Sequence, residues 1–164
     1  MKKVIFTICI FTLIFHFAEA QTIPNGNFED WQTTTIANPN GAVTSNLEFF
    51  QRYGVGAPIL VTRVLDAHEG TYACKIETSI VGQDTSFGYA VFGKAGNNGP
   101  EGGFPYTQAP DSIVGWYKSS IAVADSALVL VAFKLNGASV SQNMFFLKGA
   151  HSNYTRFSFP LNLP

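Results

Sequence analysis

Asn136 and Gly137 stand between two apolar runs, Ala127 to Leu135 (ALVLVAFKL) and Ala138 to Leu147 (ASVSQNMFFL). A two-residue connection between antiparallel strands takes a type I′ turn, which needs positive φ at both central positions, and Asn-Gly meets that need at low steric cost. The spacing predicts a β-hairpin. Its first arm is apolar at both parities rather than alternating, so it is expected to be buried on both faces, as a central strand of a two-layer sandwich.

Strand signals continue on either side. Ile59 to Leu65 (ILVTRVL) reads as a strand that turns at Ala67-His68-Glu69-Gly70 into Thr71 to Val81, where Tyr72, Cys74, Ile76, Thr78 and Ile80 share one side. Ser86 to Phe92 and Ser112 to Lys118 read as further strands, with Gly93 to Gly103 between them as a glycine-rich surface loop. Tyr154 to Leu163 alternates strictly and directs Phe157, Phe159, Leu161 and Leu163 inward, while Pro160 removes a ladder donor and marks an edge strand or a bulge. Gln32 to Leu47, rich in Thr and Asn, is expected to be a surface loop, and no segment carries a helical period. Short strands punctuated by glycine and proline predict an all-β, two-layer antiparallel β-sandwich of the jelly-roll kind.

Residues 1 to 20 have the layout of a secretory signal peptide: Lys2 and Lys3, a mostly apolar core from Val4 to Phe17, and Ala18-Glu19-Ala20 at the cleavage positions. The folded domain is then residues 21 to 164, exported, with no further apolar stretch long enough for a membrane span. Cys9 lies within the apolar core and not at the junction, which argues against a lipoprotein. The formal charge of −1, which becomes −2 without Lys2, Lys3 and Glu19 of the leader, argues against the strongly basic face that nucleic acid demands, and equally against a polybasic membrane patch. Cys74, the one cysteine outside the leader, lies on the core parity of its strand and is expected to be a buried free thiol.

Motifs for the commoner chemistries are absent or broken. Gly88 to Lys94 (GYAVFGK) matches most of a phosphate-binding loop, but Ala95 replaces the hydroxyl residue that meets magnesium and no helix is expected to follow. His68 and His151 form no metal-ligand pair, and no GxSxG elbow occurs. Glycoside hydrolysis asks for two carboxylates across a cleft, and among Asp66, Glu69, Glu77, Glu101 and Asp111 no spacing singles out a pair.

The ordered set IPNGNFEDW, DAHEGTYACKIET, GYAVFGK, GGFPYTQAPDSIVGWYK and DSALVLVAF resembles the secreted galactose-binding-like jelly-roll domains grouped as carbohydrate metabolism domains. These belong to surface proteins of Gram-negative bacteria that use type IX secretion. The resemblance covers nearly all of residues 23 to 163. It implies a glycan or polysaccharide ligand, and a place outside the cell or on its outer surface, or in the periplasm if the protein is not displayed. Members of the family continue with further strands, so by this resemblance the domain is expected to lack its last strands. Related jelly rolls hold a structural calcium beside an Asn-x-Phe-Glu-like segment. Asn25 to Asp30 is similar to that segment, and the resemblance puts the candidate ligands at Glu29 and the carbonyl region of Gly70; no other cofactor is expected.

Sugar binding asks for aromatic faces against C–H surfaces with polar groups at the rim. Trp31, Trp116, Tyr106 and Tyr53 are the candidates. Trp116, in a strand beside the hairpin, reads first as a core residue, and Tyr106, beside the glycine-rich loop, reads as the better ligand contact. The expected function is a non-catalytic carbohydrate-binding module. The alternatives are a structural or adhesive module with surface protein partners, and a polysaccharide-active enzyme.

Overall fold

The computed structural model describes residues 21–33, 36–96 and 99–163. The leader reading of residues 1 to 20 lies outside them. Among the described residues the structure is mostly β, with 51% strand and 7% helix, in small antiparallel sheets that are not closed. Among the described residues the strands pair two by two, so the pairing does not trace out the expected jelly roll. No helix among them is long and apolar enough to cross a membrane.

β1 (Trp31–Thr33) pairs with β2 (Ala37–Pro39), and β3 (Ala42–Thr44) runs directly into helix α1 (Ser45–Tyr53). β4 (Val61–Val64) pairs with β5 (Ala73–Ile76), and β6 (Thr78–Val81) with β7 (Asp84–Phe87). β8 (Ala90–Phe92) returns to β3, and β9 (Lys94–Gly96) pairs with β10 (Gly99–Glu101). β11 (Ser112–Ser120) is followed by the hairpin of β12 (Ala127–Leu135) and β13 (Ala138–Leu147), and β14 (Ala150–Pro160) comes back to pair with β11.

The hairpin forms at the expected residues. Asn136 and Gly137 have φ of 52° and 83°, both in the left-handed region that a type I′ turn requires, and Leu135 faces Ala138 across it. The Pro160 expectation also fits: β14 ends at Pro160, and its partner among the described residues is β11 alone.

Several expectations are overturned. The segment read as a surface loop, Gln32 to Leu47, contributes β2, β3 and the start of α1, and contains Pro39, Thr44, Ser45 and Asn46, all fully buried. The helix itself was not expected. Polar residues can sit there because their groups are paired: Asn46 Nδ2 donates to the Val61 carbonyl at 2.6 Å and its Oδ1 accepts the Leu60 and Val61 N–H groups at 2.8 and 3.0 Å, Ser45 Oγ accepts the Tyr89 N–H, and the Thr44 hydroxyl donates to Asn38. A buried amide with its hydrogen bonds made internally avoids the cost of an unpaired polar group. Ile36, Ala42, Phe49, Leu60 and Val61 are the buried apolar residues among those described.

The single long strand expected from Thr71 to Val81 is broken at Glu77, whose N–H donates to the Leu60 carbonyl and whose carbonyl accepts from Gly88. Tyr72 and Cys74 are half-buried as expected, but Ile76 and Ile80 are exposed, as is Leu163 at the end of the chain's alternating run. The glycine-rich segment holds the β9–β10 pair rather than being loop throughout.

The β12–β13 and β11–β14 ribbons meet through Phe145 and Phe159, stacked at 4.5 Å and 6° from parallel, with Phe157 at 5.1 Å from Phe159. Buried Asn143 ties the same region to the chain beyond β14, accepting the Asn162 N–H at 2.8 Å. The other face of β12–β13 is open. Leu128 and Leu130 are 53% exposed, and Met144 and Phe146, facing them across the ladder, are 59% and 57% exposed. Burial of β12 on both faces is therefore corrected. Apolar patterning records which residues favour burial, whereas cover on a given face comes from packing that local sequence does not encode.

Candidate functional site

Parity on two strands and the docking of one loop build the most developed surface site. On β11 and β14 the inward positions carry Tyr117, Phe157 and Phe159, so Trp116 and Lys118 on β11, and Tyr154 and Arg156 on β14, share the opposite face. Trp116 and Arg156 are cross-strand partners. The loop from Leu65 to Tyr72, between β4 and β5, folds across this face.

His68 stacks on the Trp116 indole at 3.9 Å and 13°, and meets Tyr154 edge-on at 5.6 Å. Lys118 Nζ donates to both Asp66 carboxylate oxygens at 2.9 and 2.7 Å and lies 5.1 Å from the Tyr154 ring centroid. The Tyr154 hydroxyl donates to the Asp66 carbonyl at 2.5 Å. Burial, with the nearby Asp66 carboxylate second, raises the Tyr154 phenol above its ordinary pKa. The Glu69 carboxylate is 3.7 Å from His68 Nδ1. An exposed Lys–Asp pair contributes only about 0–1 kcal/mol, so this pair chiefly fixes where the loop sits.

The far end of the loop is held by Glu29. Its Oε1 accepts the N–H groups of Thr71 and Tyr72 at 2.7 and 2.8 Å. Gly70 has φ of 74°, and a Cβ at that position would overlap the Glu29 carboxylate. The two residues named as calcium ligands are therefore neighbours, and the carboxylate oxygen facing the loop accepts two amide N–H groups. Calcium takes about six to eight oxygen ligands, and among the described residues no three His, Cys, Asp or Glu side chains gather to hold a metal. Glu29 and Gly70 act here as a clasp on the far end of the loop.

The four aromatic candidates lie in different surroundings. Trp116 is 46% exposed, so the reading of it as core is corrected: it projects from the outer face of its ribbon. Trp31 donates its indole N–H to the Phe28 carbonyl at 2.6 Å, with the Arg63 guanidinium 6.0 Å from its ring and 4.3 Å from that of Tyr72. Tyr53, at the last position of α1, stacks on Phe49 at 6.0 Å and is 51% exposed. Tyr106 packs edge-on against Phe133 at 6.3 Å.

A cavity of about 320 Å³ lies beside the glycine-rich segment, with Pro24, Gly41, Phe92, Lys94, Gly102 and Phe104 among its walls. Phe104, not Tyr106, reaches it. Apart from Lys94 its side-chain walls are apolar, which gives few groups to pair with sugar hydroxyls.

Several other polar groups are engaged locally. Lys75 pairs with Glu77 at 2.7 Å, and Ser112 donates its hydroxyl to Asp111 at 2.7 Å. His151 lies within hydrogen-bond reach of Tyr117 and Thr155. Burial pushes the Cys74 thiol up to about 12, which leaves almost no thiolate at neutral pH and removes it as a nucleophile.

Sequence reading missed the grouping of His68, Asp66, Lys118, Tyr154 and Arg156. The alternation of the final strand was sufficient to place Tyr154 and Arg156 on the outer face. The docking of this loop on Trp116 joins residues as far apart as Asp66 and Lys118, 52 positions from each other, and was beyond local pattern. Comparison of the chain with models of known protein families, with characterised proteins and with solved structures gives no match.

Proposed function

We propose that this is a non-catalytic carbohydrate-binding module that takes a sugar ring against the open part of the Trp116 indole. The observation that carries this reading is the combination of a half-exposed tryptophan on an open strand face with a polar rim. His68 fixes the ring from one side, and Asp66, Lys118 and Arg156 supply donors and acceptors around it. Flat aromatic area with a polar edge is what pyranose recognition requires. The order of the sequence motifs supports assigning the strands to a β-sandwich of the galactose-binding-like jelly-roll type. The leader-like residues 1 to 20 support export to the envelope or the exterior of a Gram-negative cell.

Affinity electrophoresis through gels containing single polysaccharides tests this reading. Retardation of the purified chain by at least one polysaccharide, lost in Trp116→Ala, is the expected result. Equal retardation of Trp116→Ala, or free migration of the wild-type chain in every gel, overturns it.

A second reading, a structural or adhesive module with protein partners, is favoured by one separate observation, the uncovered apolar face of Leu128, Leu130, Met144 and Phe146. Exposed contiguous apolar surface of this kind is uncommon on isolated soluble domains. Copurification of a defined protein, abolished by Leu130→Lys, would favour that reading over the first.

A further inference from the structure

We infer that the glycan taken at the Trp116 face is anionic, with a carboxylate or sulfate group on the sugar paired to the Arg156 guanidinium. This rests on the carbohydrate reading of the Trp116 site and adds the charge class of the ligand.

The outer face of the β11–β14 ladder bears no acid from either strand. Its positions are Ser112, Val114, Trp116 and Lys118 on β11, and Tyr154, Arg156, Ser158 and Pro160 on β14. The acids near the face are each engaged by a partner other than Arg156: Asp66 is bound by Lys118 through both oxygens, Glu69 lies against His68, and Asp111, just before β11, accepts the Ser112 hydroxyl. Arg156 makes no ion pair, hydrogen bond or ring contact with any of the described residues, and it is exposed. Directly across the ladder is Trp116. Opposed residues on one face of an antiparallel pair have Cβ atoms about 4.5–5.5 Å apart.

An unpaired guanidinium next to an open indole sets two requirements on one ligand. The indole asks for a flat apolar surface such as the C–H face of a pyranose. The guanidinium presents a planar fork of donors that matches a carboxylate or sulfate through two parallel hydrogen bonds, whereas neutral hydroxyls satisfy it less well. A hexuronate or a sulfated hexose carries both features within one ring. Ser158 adds a neutral hydroxyl along the same face, suited to one of the remaining sugar hydroxyls. Single-stranded nucleic acid also combines stacking faces with anions, but it asks for a run of cations along the backbone. The formal charge of −1 and the engagement of Lys118 by Asp66 leave this face with one uncommitted cation, which fits a single anionic substituent better than a phosphate chain.

The test compares pairs of probes that differ only in charge: polygalacturonate against fully methyl-esterified pectin, and dextran sulfate against dextran, with oligo(dT) as a nucleic-acid probe. Dissociation constants are measured for the wild-type chain, Arg156→Gln, Arg156→Lys, Trp116→Ala, and Lys134→Gln on β12 as a control with the same change in charge. The expected result is binding to polygalacturonate or dextran sulfate but not to its neutral counterpart, and the arm that binds distinguishes carboxylate from sulfate. Arg156→Gln should weaken that binding by roughly tenfold or more, the order set by loss of a hydrogen-bonded charge pair. Arg156→Lys should recover part of it, Lys134→Gln should match wild type, and Trp116→Ala should abolish it. Equal binding of charged and neutral probes, lost in Trp116→Ala but unchanged in Arg156→Gln, overturns the anionic inference while the carbohydrate reading stands. No binding to any polysaccharide overturns both. Tight binding to oligo(dT) in place of the polysaccharides also overturns both, and assigns the face to nucleic acid.

Discussion

The imidazole of His68 lies parallel to the indole of Trp116, within 13° and with 3.9 Å between ring centroids. One residue belongs to the loop after β4 and the other to the middle of β11, so the contact joins the first half of the chain to the last. It also covers one side of the indole and leaves the rest open. Aromatic pairs of this kind contribute about 0.5–1.5 kcal/mol beyond their buried area. In a Trp31→Phe background, where Trp116 is the only tryptophan, His68→Ala should shift the indole emission to the red and lower the urea midpoint by an amount within that range. Unchanged emission would mean that the stack does not persist in solution.

Gly70 and Glu29 make a clasp that tolerates little change. Alanine at Gly70 has to adopt φ near 74° and also displace the Glu29 carboxylate. Gly70→Ala should therefore cost more than about 1 kcal/mol. Glu29→Ala, which leaves two amide donors without their acceptor, should cost about 1.5–3 kcal/mol. Calcium at millimolar concentration should leave the wild-type urea midpoint in place, because the clasp is made of amide donors. A rise in stability with calcium, lost in Glu29→Ala, would contradict this.

Phe145 and Phe146 are adjacent in sequence but face opposite ways. Phe145 stacks on Phe159 between the two long ribbons, whereas Phe146 is 57% exposed opposite Leu128. Phe145→Ala should cost toward the lower end of about 3–5 kcal/mol. Phe146→Ala should cost no more than about 1 kcal/mol, the scale of a cross-strand pair. Urea denaturation of both variants checks the difference, and equal losses would mean that the outer face of β12–β13 is covered in solution.

Tyr89 donates its hydroxyl to Glu48 at 2.9 Å, and burial, followed by the hydrogen bond and charge of Glu48, pushes its phenol from 10 up to about 12. The folded state holds this proton more tightly than the unfolded chain does. Its contribution to stability is therefore complete below about pH 10 and is lost as pH rises toward 12. Tyr89→Phe should flatten that part of the stability profile, measured as the urea midpoint against pH.

The sequence was most informative where backbone chemistry was local. Asn136-Gly137 marked its turn because few other pairs accept positive φ twice in succession. The alternation from Tyr154 to Leu161 correctly directed Phe157, Phe159 and Leu161 inward, because a period of two is a property of the strand itself. Helix α1 stayed hidden because its buried face is made partly of Ser45 and Asn46, and nothing in the sequence says that Asn46 will find the backbone of Leu60 and Val61. Trp116 was read as core for the converse reason: a large apolar side chain in a strand favours burial, and only the pairing with β14 shows which face it takes. The candidate site was legible as single aromatic residues but not as a group, because loop docking joins His68 and Asp66 to a ribbon distant in sequence.

The most direct measurement follows the emission of Trp116 in the Trp31→Phe chain while a polysaccharide that retards the protein in affinity gels is titrated in. The chain holds two tryptophans, so this variant isolates the proposed contact. A saturable blue shift, with a midpoint matching the independently measured dissociation constant, is the expected result. Binding that proceeds with no change in Trp116 emission would place the ligand elsewhere and contradict the assignment of this face.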